Sequence, residues 1–247
     1  MLSRSNELAR FRYDNAMSLS PSVAGRVAFL QTVPPGDLLI HEIYRSLQGE
    51  SAYAGLPCVF VRTTGCSLRC TWCDTPHAFN RGERMPREEV LAQALAFETP
   101  LVEITGGEPL EQPAVLPLMA ELCDAGSTVL LETSGALDIS QVDRRVHIIM
   151  DLKCPDSGEC DRNLWANLEH LKPTDEIKFV IATARDWAWT ETAVRENCLD
   201  ERFRVLVSGV YGLDLADLAA WVLASKRNVR MQLQMHKYIW DPAARGV

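Results

Sequence analysis

The sequence predicts an α/β protein in which parallel β-strands alternate with helices and form a sheet that is either open or barrel-like. Three observations support this fold class. The chain has 247 residues, of which 47% are hydrophobic and 23% charged, as in a folded protein with a core large enough to hold a cofactor. From residue 38 onwards, short apolar segments alternate with segments of helical periodicity. The apolar segments mostly lack strict alternation with polar residues, which is typical of parallel strands buried on both faces.

The individual elements follow from these patterns. Seven segments are predicted to be strands because they are short and rich in branched apolar residues, namely 58–63, 101–105, 128–132, 146–152, 176–181, 203–207 and 230–234. Four segments between them are predicted to be helices, namely 86–98, 113–125, 185–198 and 213–226. The first of these helices has Glu88 and Glu89 in its first turn, which suits the helix dipole, and the second ends at Gly126, a common C-terminal cap.

Residues 1–36 are predicted to be an N-terminal extension, and residues 37–247 the functional domain. The extension is polar and ends in Pro34, Pro35 and Gly36, which favour a break in regular structure. We see no continuous apolar core of a secretory signal and no run of roughly 18 apolar residues that could span a membrane. We therefore expect no association with a membrane.

Charge and cysteine content narrow the classes of function. The formal net charge is −8, which argues against broad electrostatic binding to nucleic acid or to anionic lipid. The eight cysteines are too few for a disulfide scaffold, and three of them fall within eight residues while the others are scattered. A tight triplet among single thiols predicts reduced cysteines with one metal or redox site, and hence a cytoplasmic protein.

Polar or glycine-rich clusters follow six of the predicted strands. In βα folds the C-terminal ends of the strands share one face, and that face carries the active site. The clusters begin at Thr64, Gly106, Glu132, Lys153, Ser208 and Met235. Turn formation alone would explain the glycine and serine residues there, but it would not require three cysteines, a lysine and a histidine.

The cysteine triplet has the spacing C-x3-C-x2-C and consists of Cys66, Cys70 and Cys73. Thiolates are soft ligands for iron–sulfur clusters or zinc. Three cysteines leave one iron of a four-iron cluster without a protein ligand, so that iron can bind a small molecule. Zinc is an alternative, because structural zinc takes four ligands and Asp74 or His77 could supply the fourth. Three thiols without any metal are the least demanding interpretation.

The segment Gly106, Gly107, Glu108, Pro109 is the second candidate site. Adjacent glycines let the backbone approach a ligand closely, and the carboxylate of Glu108 could hold an ammonium group. A simple turn before a helix is the structural alternative. The presence of the cysteine triplet in the same chain favours ligand binding.

Together, the triplet and this glycine segment resemble the radical S-adenosylmethionine superfamily. The resemblance implies a partial (β/α)6-type barrel and a four-iron four-sulfur cluster on the three cysteines, whose open iron chelates S-adenosylmethionine. The methionine end of that cofactor would be lined by Gly106, Gly107 and Glu108. In this superfamily, reduction cleaves the cofactor to methionine and a 5′-deoxyadenosyl radical. The electron implies a low-potential donor such as a flavodoxin or ferredoxin.

Flanking segments narrow the resemblance to the 7-carboxy-7-deazaguanine synthases of queuosine biosynthesis. The similar segments lie at 42–50, 59–62, 73–75 and 234–238. That family converts 6-carboxy-5,6,7,8-tetrahydropterin to 7-carboxy-7-deazaguanine with loss of ammonia, and it uses S-adenosylmethionine catalytically. The resemblance further implies magnesium as a second metal and a homodimer as the assembly.

The resemblance also implies roles for single residues. Gln48 and Glu50 would hydrogen-bond the pterin edge, and Arg62 would bind the substrate carboxylate. His236 would lie near the substrate, and Thr75 would offer its hydroxyl to magnesium. Each role has a structural alternative: a solvated loop charge for Glu50, an ion pair at the barrel edge for Arg62 and a helix N-cap for Thr75.

Three residues at strand ends, Ser134, Lys153 and Ser208, are candidates for cofactor contacts. In some members of the family the chain terminus reaches the substrate, whereas here the chain continues past Tyr238 to Val247. Two other functions stay open at this point. One is a different radical enzyme, such as an activase that places a glycyl radical on a partner protein, and the other is a zinc-binding module without radical chemistry.

Overall fold

The computed structural model describes residues 21–241 and 244–247, and within them the chain forms one open, mixed sheet of nine strands. The strands are β1 (Asp37–Leu47), β2 (Pro57–Thr63), β3 (Glu83–Pro86), β4 (Leu101–Gly106), β5 (Thr128–Thr133), β6 (His147–Asp151), β7 (Glu176–Ile181), β8 (Arg204–Gly209) and β9 (Val229–Met231). Their order is β3-β1-β2-β4-β5-β6-β7-β8-β9. The pairs from β2 to β9 are all parallel, whereas β1 pairs antiparallel with β2 and β3. The predicted α/β fold with a parallel sheet is confirmed.

The helices lie mainly in the connections between the parallel strands. They are α1 (Pro21–Gly25), α2 (Arg87–Leu95), α3 (Val115–Asp124), α4 (Ala184–Glu196), α5 (Leu199–Arg202), α6 (Leu215–Ala224) and α7 (His236–Ile239). The four longest agree with the predicted helices apart from their ends. Side chains set two of these starts: Thr183 accepts hydrogen bonds from the first-turn amides of α4, and Asp214 accepts one from Ala216 in α6.

Two strands differ from the sequence prediction, which placed no helix in the connections from β5 to β6 and from β6 to β7. The strands β1 and β3 were not predicted, because they lie at the antiparallel end of the sheet and carry polar residues on partly exposed faces. In the described chain, no α-helix connects β5 to β6, and three 3-10 turns connect β6 to β7. Two of the crossovers in this partial barrel are therefore built from turns.

The two faces of the sheet have different characters. One face packs against the helices and forms the main core, with Val61, Ile104, Leu131, Met150 and Phe179 among its buried residues. Alternate residues of the same strands point to the other face. That face begins apolar, with Phe60, Leu101, Leu130 and Ile149, and two residues further along each strand it becomes charged.

The loop between β1 and β2, residues 48–56, covers the N-terminal ends of the parallel strands. The backbone amide of Ala52 lies 3.1 Å from both carboxylate oxygens of Glu176, the first residue of β7. The ring of Tyr53 meets the edge of His147, the first residue of β6, with 5.2 Å between centroids. This loop and the cysteine loop therefore lie at opposite ends of β2.

The predicted N-terminal extension is only partly described, since residues 1–20 lie outside the described residues. Residues 21–36 form α1 and a 3-10 turn, Ala28–Thr32, and lead into β1. The division of the chain at residue 36 stays a prediction. Within the described residues, none of the helices has the length and apolar character needed to cross a membrane.

Candidate active site

A cavity of about 490 Å³ lies over the charged face of the sheet. Most of the residues that the sequence singled out lie on its wall: Gln48, Glu50, Arg62, Cys66, Cys70, Cys73, Thr75, Gly106, Gly107, Ser134, Lys153 and His236. Most of these residues meet because they follow the C-terminal ends of neighbouring parallel strands, whereas Gln48 and Glu50 come from the loop between β1 and β2. Glu108 and Ser208 are the predicted residues that do not line this cavity.

The cysteine loop leaves β2 and places three free thiols at one side of the cavity. Burial raises the pKa of the Cys66 thiol to about 12 and raises the pKa values of Cys70 and Cys73 as well. Thiols in such surroundings stay neutral unless a metal supplies the positive charge that stabilises a thiolate. Three such thiols on one loop beside a cavity fit an iron–sulfur cluster, because a purely apolar role would not need them to face open space.

A single zinc ion fits the described residues less well. Among them, the group of donors close enough for one ion is His41, Glu42 and His77, whose ligand atoms lie within 4.8 Å of one another, and the three cysteines do not form such a group. Glu42 is already paired with the Arg62 guanidinium, and His41 Nδ1 lies 2.7 Å from the Arg81 carbonyl oxygen. Because Glu42 and His41 already have these partners, the group of His41, Glu42 and His77 is a packing contact beside the cavity.

The glycine pair packs directly against the cysteine loop. A Cβ atom on Gly107 would lie 2.4 Å from the Gly65 carbonyl oxygen and 2.8 Å from Cys66 Cβ, so only glycine fits there. The Glu108 amide donates a hydrogen bond of 2.8 Å to the same carbonyl. Cys66 is thus fixed beside a stretch of bare backbone that a ligand can approach.

Glu108 supports this arrangement from below the cavity wall. Its carboxylate accepts hydrogen bonds from the Thr133 hydroxyl at 2.9 Å and from the Ser134 amide at 2.7 Å, and also from the Ser134 hydroxyl. Burial raises the pKa of this carboxyl, while the Ser134 and Leu110 hydrogen bonds oppose the shift. In this structure Glu108 ties the end of β4 to the end of β5, and its contact with the cofactor amino group stays a prediction.

The centre of the cavity is a charged network that the sequence analysis missed. Lys178 Nζ lies 2.9 Å from Glu50 Oε2 and 3.9 Å from Asp151 Oδ2, and it also hydrogen-bonds the Glu132 carboxylate. Burial opposes the charge on Lys178, but Glu132 and Glu50 outweigh it and raise its pKa. Burial likewise acts to raise the pKa of Glu132, and the attraction of Lys178 outweighs it and lowers that pKa. One buried cation therefore pairs with two carboxylates and lowers the pKa of Glu132.

Glu50 is held by neutral groups as well. Gln48 Oε1 accepts a hydrogen bond of 2.9 Å from the Glu50 amide, and Gln234 Nε2 donates one of 2.8 Å to Glu50 Oε1. Gln48 Nε2 donates in turn to Glu103, whose pKa is raised well above its ordinary value by burial and by the charge of Glu132. The alternative of a solvated loop charge for Glu50 is therefore wrong, because the carboxylate points into a fixed polar network.

Arg62 lines the cavity and also makes the ion pair proposed as its alternative role. Its Nε donates to Glu42 Oε1 at 2.8 Å, and its Nη2 donates to the Tyr44 hydroxyl at 3.0 Å. A guanidinium has five N–H donors, so these two bonds orient the group without exhausting it. Arg62 is thus a pre-oriented cation on the cavity wall.

The end of β6 contributes a second lysine and an unsatisfied carboxylate. Lys153 Nζ lies 2.9 Å from Asp151 Oδ2, and the pKa of Lys153 is raised because Asp151 and Cys70 outweigh the effect of burial. Asp151 Oδ1 is buried and has no hydrogen-bond partner among the described residues. Such an atom is available to accept a hydrogen bond from a ligand. The hydroxyl of Ser208 is also buried and unpaired within the described chain, but it lies away from the cavity, and its cofactor contact stays a prediction.

The C-terminal segment closes one side of the cavity. His236 lies directly on Gly49, where a Cβ atom would be 2.7 Å from His236 Nδ1. Burial lowers the pKa of His236 even though Glu50 acts to raise it, so the imidazole is neutral at physiological pH. Residues 244–247 also line the cavity, so the tail reaches the site despite its length.

Thr75 and Asp74 place oxygen atoms where the C-terminal segment meets the cysteine loop. The Thr75 hydroxyl donates to Asp74 Oδ1 at 3.0 Å, and it makes no capping hydrogen bond to the 3-10 turn that follows. Lys237 Nζ lies 2.8 Å from Asp74 Oδ2. Burial acts to raise the pKa of Asp74, but Lys237 outweighs it and lowers the pKa. Thr75 therefore occupies the N-cap position of this turn without capping it through its hydroxyl, and that oxygen fits the ligand preference of magnesium.

An open parallel sheet with a cysteine loop at one strand end and a bare glycine turn beside it defines the class of a radical S-adenosylmethionine enzyme. The family model described as "Radical SAM superfamily" matches residues 60–157 of this chain. The cofactors of this class are a four-iron four-sulfur cluster and S-adenosylmethionine, and its chemistry requires a small-molecule substrate and a reductant.

Curated relatives define the family more narrowly. A 7-carboxy-7-deazaguanine synthase from Chlorobaculum tepidum is 44% identical over 85% of this chain and 97% of its own length. The enzyme of the same name from Koribacter versatilis is 43% identical over 84% of this chain and 99% of its own. The chain belongs to the 7-carboxy-7-deazaguanine synthase family. The crystal structure of QueE from Escherichia coli shares the fold, with a TM-score of 0.69 and 24% identity over 81% of this chain and 95% of that one.

Proposed function

We propose that this chain converts 6-carboxy-5,6,7,8-tetrahydropterin to 7-carboxy-7-deazaguanine and ammonia in queuosine biosynthesis. The observation that carries the proposal is the arrangement of Glu50, which Lys178, Gln48 and Gln234 hold in the same cavity as the three cysteines. A fixed anion facing a cavity is suited to the guanidine-like N–H pair of a pterin. The Arg62 guanidinium in the same cavity is suited to the substrate carboxylate.

The residues around the cofactors have distinct tasks. Cys66, Cys70 and Cys73 would hold the cluster, and the backbone at Gly107 leaves room for the methionine end of S-adenosylmethionine. When bound and reduced, these groups supply the carbon radical that removes a hydrogen atom from carbon 6 of the substrate. Substrate and products differ only by the ammonia released, so the hydrogen that is removed must be returned and no net oxidant is consumed.

The protein's own part is to bind and orient the pterin. Glu50 and Glu132 are both paired with Lys178 and can accept hydrogen bonds from substrate N–H groups at fixed positions. The neutral imidazole of His236 can accept a proton or a hydrogen bond beside them, and the C-terminal segment lines the cavity on that side. Ring contraction requires the reacting carbon to stay in place between two steps, and this preformed network provides that restraint.

The proposal also includes a second metal ion, an electron donor and an oligomeric state. Magnesium would bind at Thr75, next to the carboxylate of Asp74. A flavodoxin or ferredoxin would deliver the electron, and the enzyme would work as a homodimer in the cytoplasm. The glycyl-radical activase is a weaker candidate, because the C-terminal segment lines one side of the cavity where a polypeptide substrate would have to enter.

The experiment is anaerobic turnover by cluster-loaded protein with the tetrahydropterin, S-adenosylmethionine, dithionite and magnesium. We expect 7-carboxy-7-deazaguanine and ammonia in equal amounts, with S-adenosylmethionine not consumed in step with product. A matched reaction with the Glu50→Ala variant should cleave the cofactor and form little product at the same substrate concentration. Failure of cluster-loaded wild-type protein to form the ring-contracted product would refute the assignment of substrate.

A further inference from the structure

We infer that residues 26–33 form a brace that holds the cysteine loop from outside and slows the loss of iron from a cluster bound there. This inference rests on the proposed function only for the presence of that cluster. The brace consists of Arg26, Val27, the 3-10 turn Ala28–Thr32 and Val33. It acts on the loop and not on the cavity, since none of its residues lines the cavity wall.

Arg26 holds the backbone between the first two cluster ligands. Its Nη1 donates to the carbonyl oxygen of Ser67 at 2.7 Å and lies 3.2 Å from Glu159 Oε1. The same Glu159 oxygen accepts a hydrogen bond of 2.7 Å from the amide of Arg69. Two peptide groups within the C-x3-C segment are therefore held from outside by one guanidinium and one carboxylate, which also neutralise each other.

Leu30 covers the point where the cysteine loop begins. A Cβ atom on Gly65 would lie 2.8 Å from Leu30 Cδ1, so the leucine side chain occupies the space above that glycine. Gly65 has a φ of +103°, which favours glycine, and its carbonyl oxygen accepts the Glu108 amide. Val27 is buried beside this contact. The brace thus adds an apolar cover to a backbone turn that side chains of the loop cannot cover themselves.

The brace lies before β1, which begins at Asp37, and thus precedes the strands that carry the cavity. The Chlorobaculum tepidum enzyme is matched over 97% of its length but over 85% of this chain, so about 37 of the 247 residues lie outside that match.

The three irons that the cysteines bind are released when the loop that carries these ligands opens locally, and local opening is governed by the contacts of that loop. Each contact of the brace must be broken before Ser67 and Arg69 can move away. The brace should therefore lower the rate at which a chelator or oxygen removes iron. Ring contraction chemistry is not needed for this effect.

The test is the rate of iron release from cluster-loaded, full-length protein to a strong ferrous chelator under anaerobic conditions. Arg26→Met keeps the aliphatic stem and removes the guanidinium, and Leu30→Asp removes the apolar cover. We expect each variant to release iron roughly 5–30 times faster than wild type, the factor that loss of a contact of this kind corresponds to. Hydrogen exchange of the peptide spanning residues 64–73 should accelerate in the same variants.

Two controls separate a local brace from general destabilisation. Arg195→Met removes an exposed arginine of α4 and should leave iron release unchanged. Leu218→Ala removes a buried core contact in α6 and should lower the melting temperature while leaving iron release close to wild type. The inference is overturned if both brace variants release iron at the wild-type rate. It is also overturned if Leu218→Ala accelerates iron release as much as the brace variants do. None of these measurements depends on turnover, so a failure of the proposed function would be distinguishable from a failure of this inference.

Discussion

Lys178→Met should destabilise the protein strongly and in a pH-dependent way. The Lys178 side chain is 5% exposed, and its partners Glu50 and Glu132 are 15% and 30% exposed. Removal of one partner from a buried ion pair leaves uncompensated charge and costs about 3–5 kcal/mol. For a chain of this size 1 kcal/mol corresponds to about 2–4 °C in melting temperature, so we expect a fall of roughly 6–20 °C at about pH 8.

The difference in melting temperature between wild type and Lys178→Met should become smaller as the pH falls. In the wild-type protein Lys178 outweighs burial and lowers the pKa of Glu132, so this carboxylate contributes stability that is present above its unfolded pKa, about 4.3, and is lost as the pH falls through its folded pKa. In the variant, burial without the lysine raises the folded pKa of Glu132. The folded variant then binds protons more readily than its unfolded chain and gains relative stability as the pH falls towards about 6.

The assay is thermal unfolding of cluster-loaded wild-type and variant protein at about pH 8 and about pH 6. Lys226→Met, at an exposed lysine, is the matched control and should melt as the wild type does at both pH values. The reasoning is refuted if Lys178→Met melts with the wild type at about pH 8, or if its deficit is the same at both pH values.

Three further predictions concern the cavity. Cys70→Ala should purify with almost no bound iron, and iron analysis that finds wild-type content would remove this residue from the cluster. Glu50→Ala should keep its cluster and still cleave S-adenosylmethionine. It should bind substrate about 1–3 kcal/mol more weakly, roughly 5–150-fold in Kd, because the substitution leaves buried donors unpaired. An unchanged affinity in titration calorimetry would contradict this prediction. Gly49→Ala should raise KM, because its Cβ would lie 2.7 Å from His236 Nδ1, whereas Gly25→Ala, with open space around it, should not.

The sequence was sufficient to find the cysteine loop, the glycine turn and all seven parallel strands. These features are local, because cysteine spacing, adjacent glycines and apolar runs can be recognised without knowing which residues they contact in the fold. The prediction failed for β1 and β3, since an antiparallel strand with polar residues does not resemble the buried runs on which the other strands were identified.

The charged network could have been found from a signal that was present. Glu103, Glu132, Asp151 and Lys178 each stand at the inward-facing alternate position of a strand that is otherwise apolar. A charged residue inside a doubly buried strand requires a partner or a function. Which charges meet depends on register, and β6 pairs Asp151 directly with Lys178 of β7. Register between strands cannot be read from one strand at a time.

The position of β2 between two functional loops has a geometric consequence. Its seven residues, Pro57–Thr63, separate the loop that carries Glu50 from the loop that carries the cysteines, and at about 3.3 Å per residue they span about 20 Å. The length of β2 therefore sets the separation between the loop of Glu50 and the loop of the cysteines. Insertion of one residue before Arg62 would lengthen the strand and turn Arg62 away from the cavity. Adaptation to a substrate of another size should consequently appear in the loops, with the length of this strand held constant.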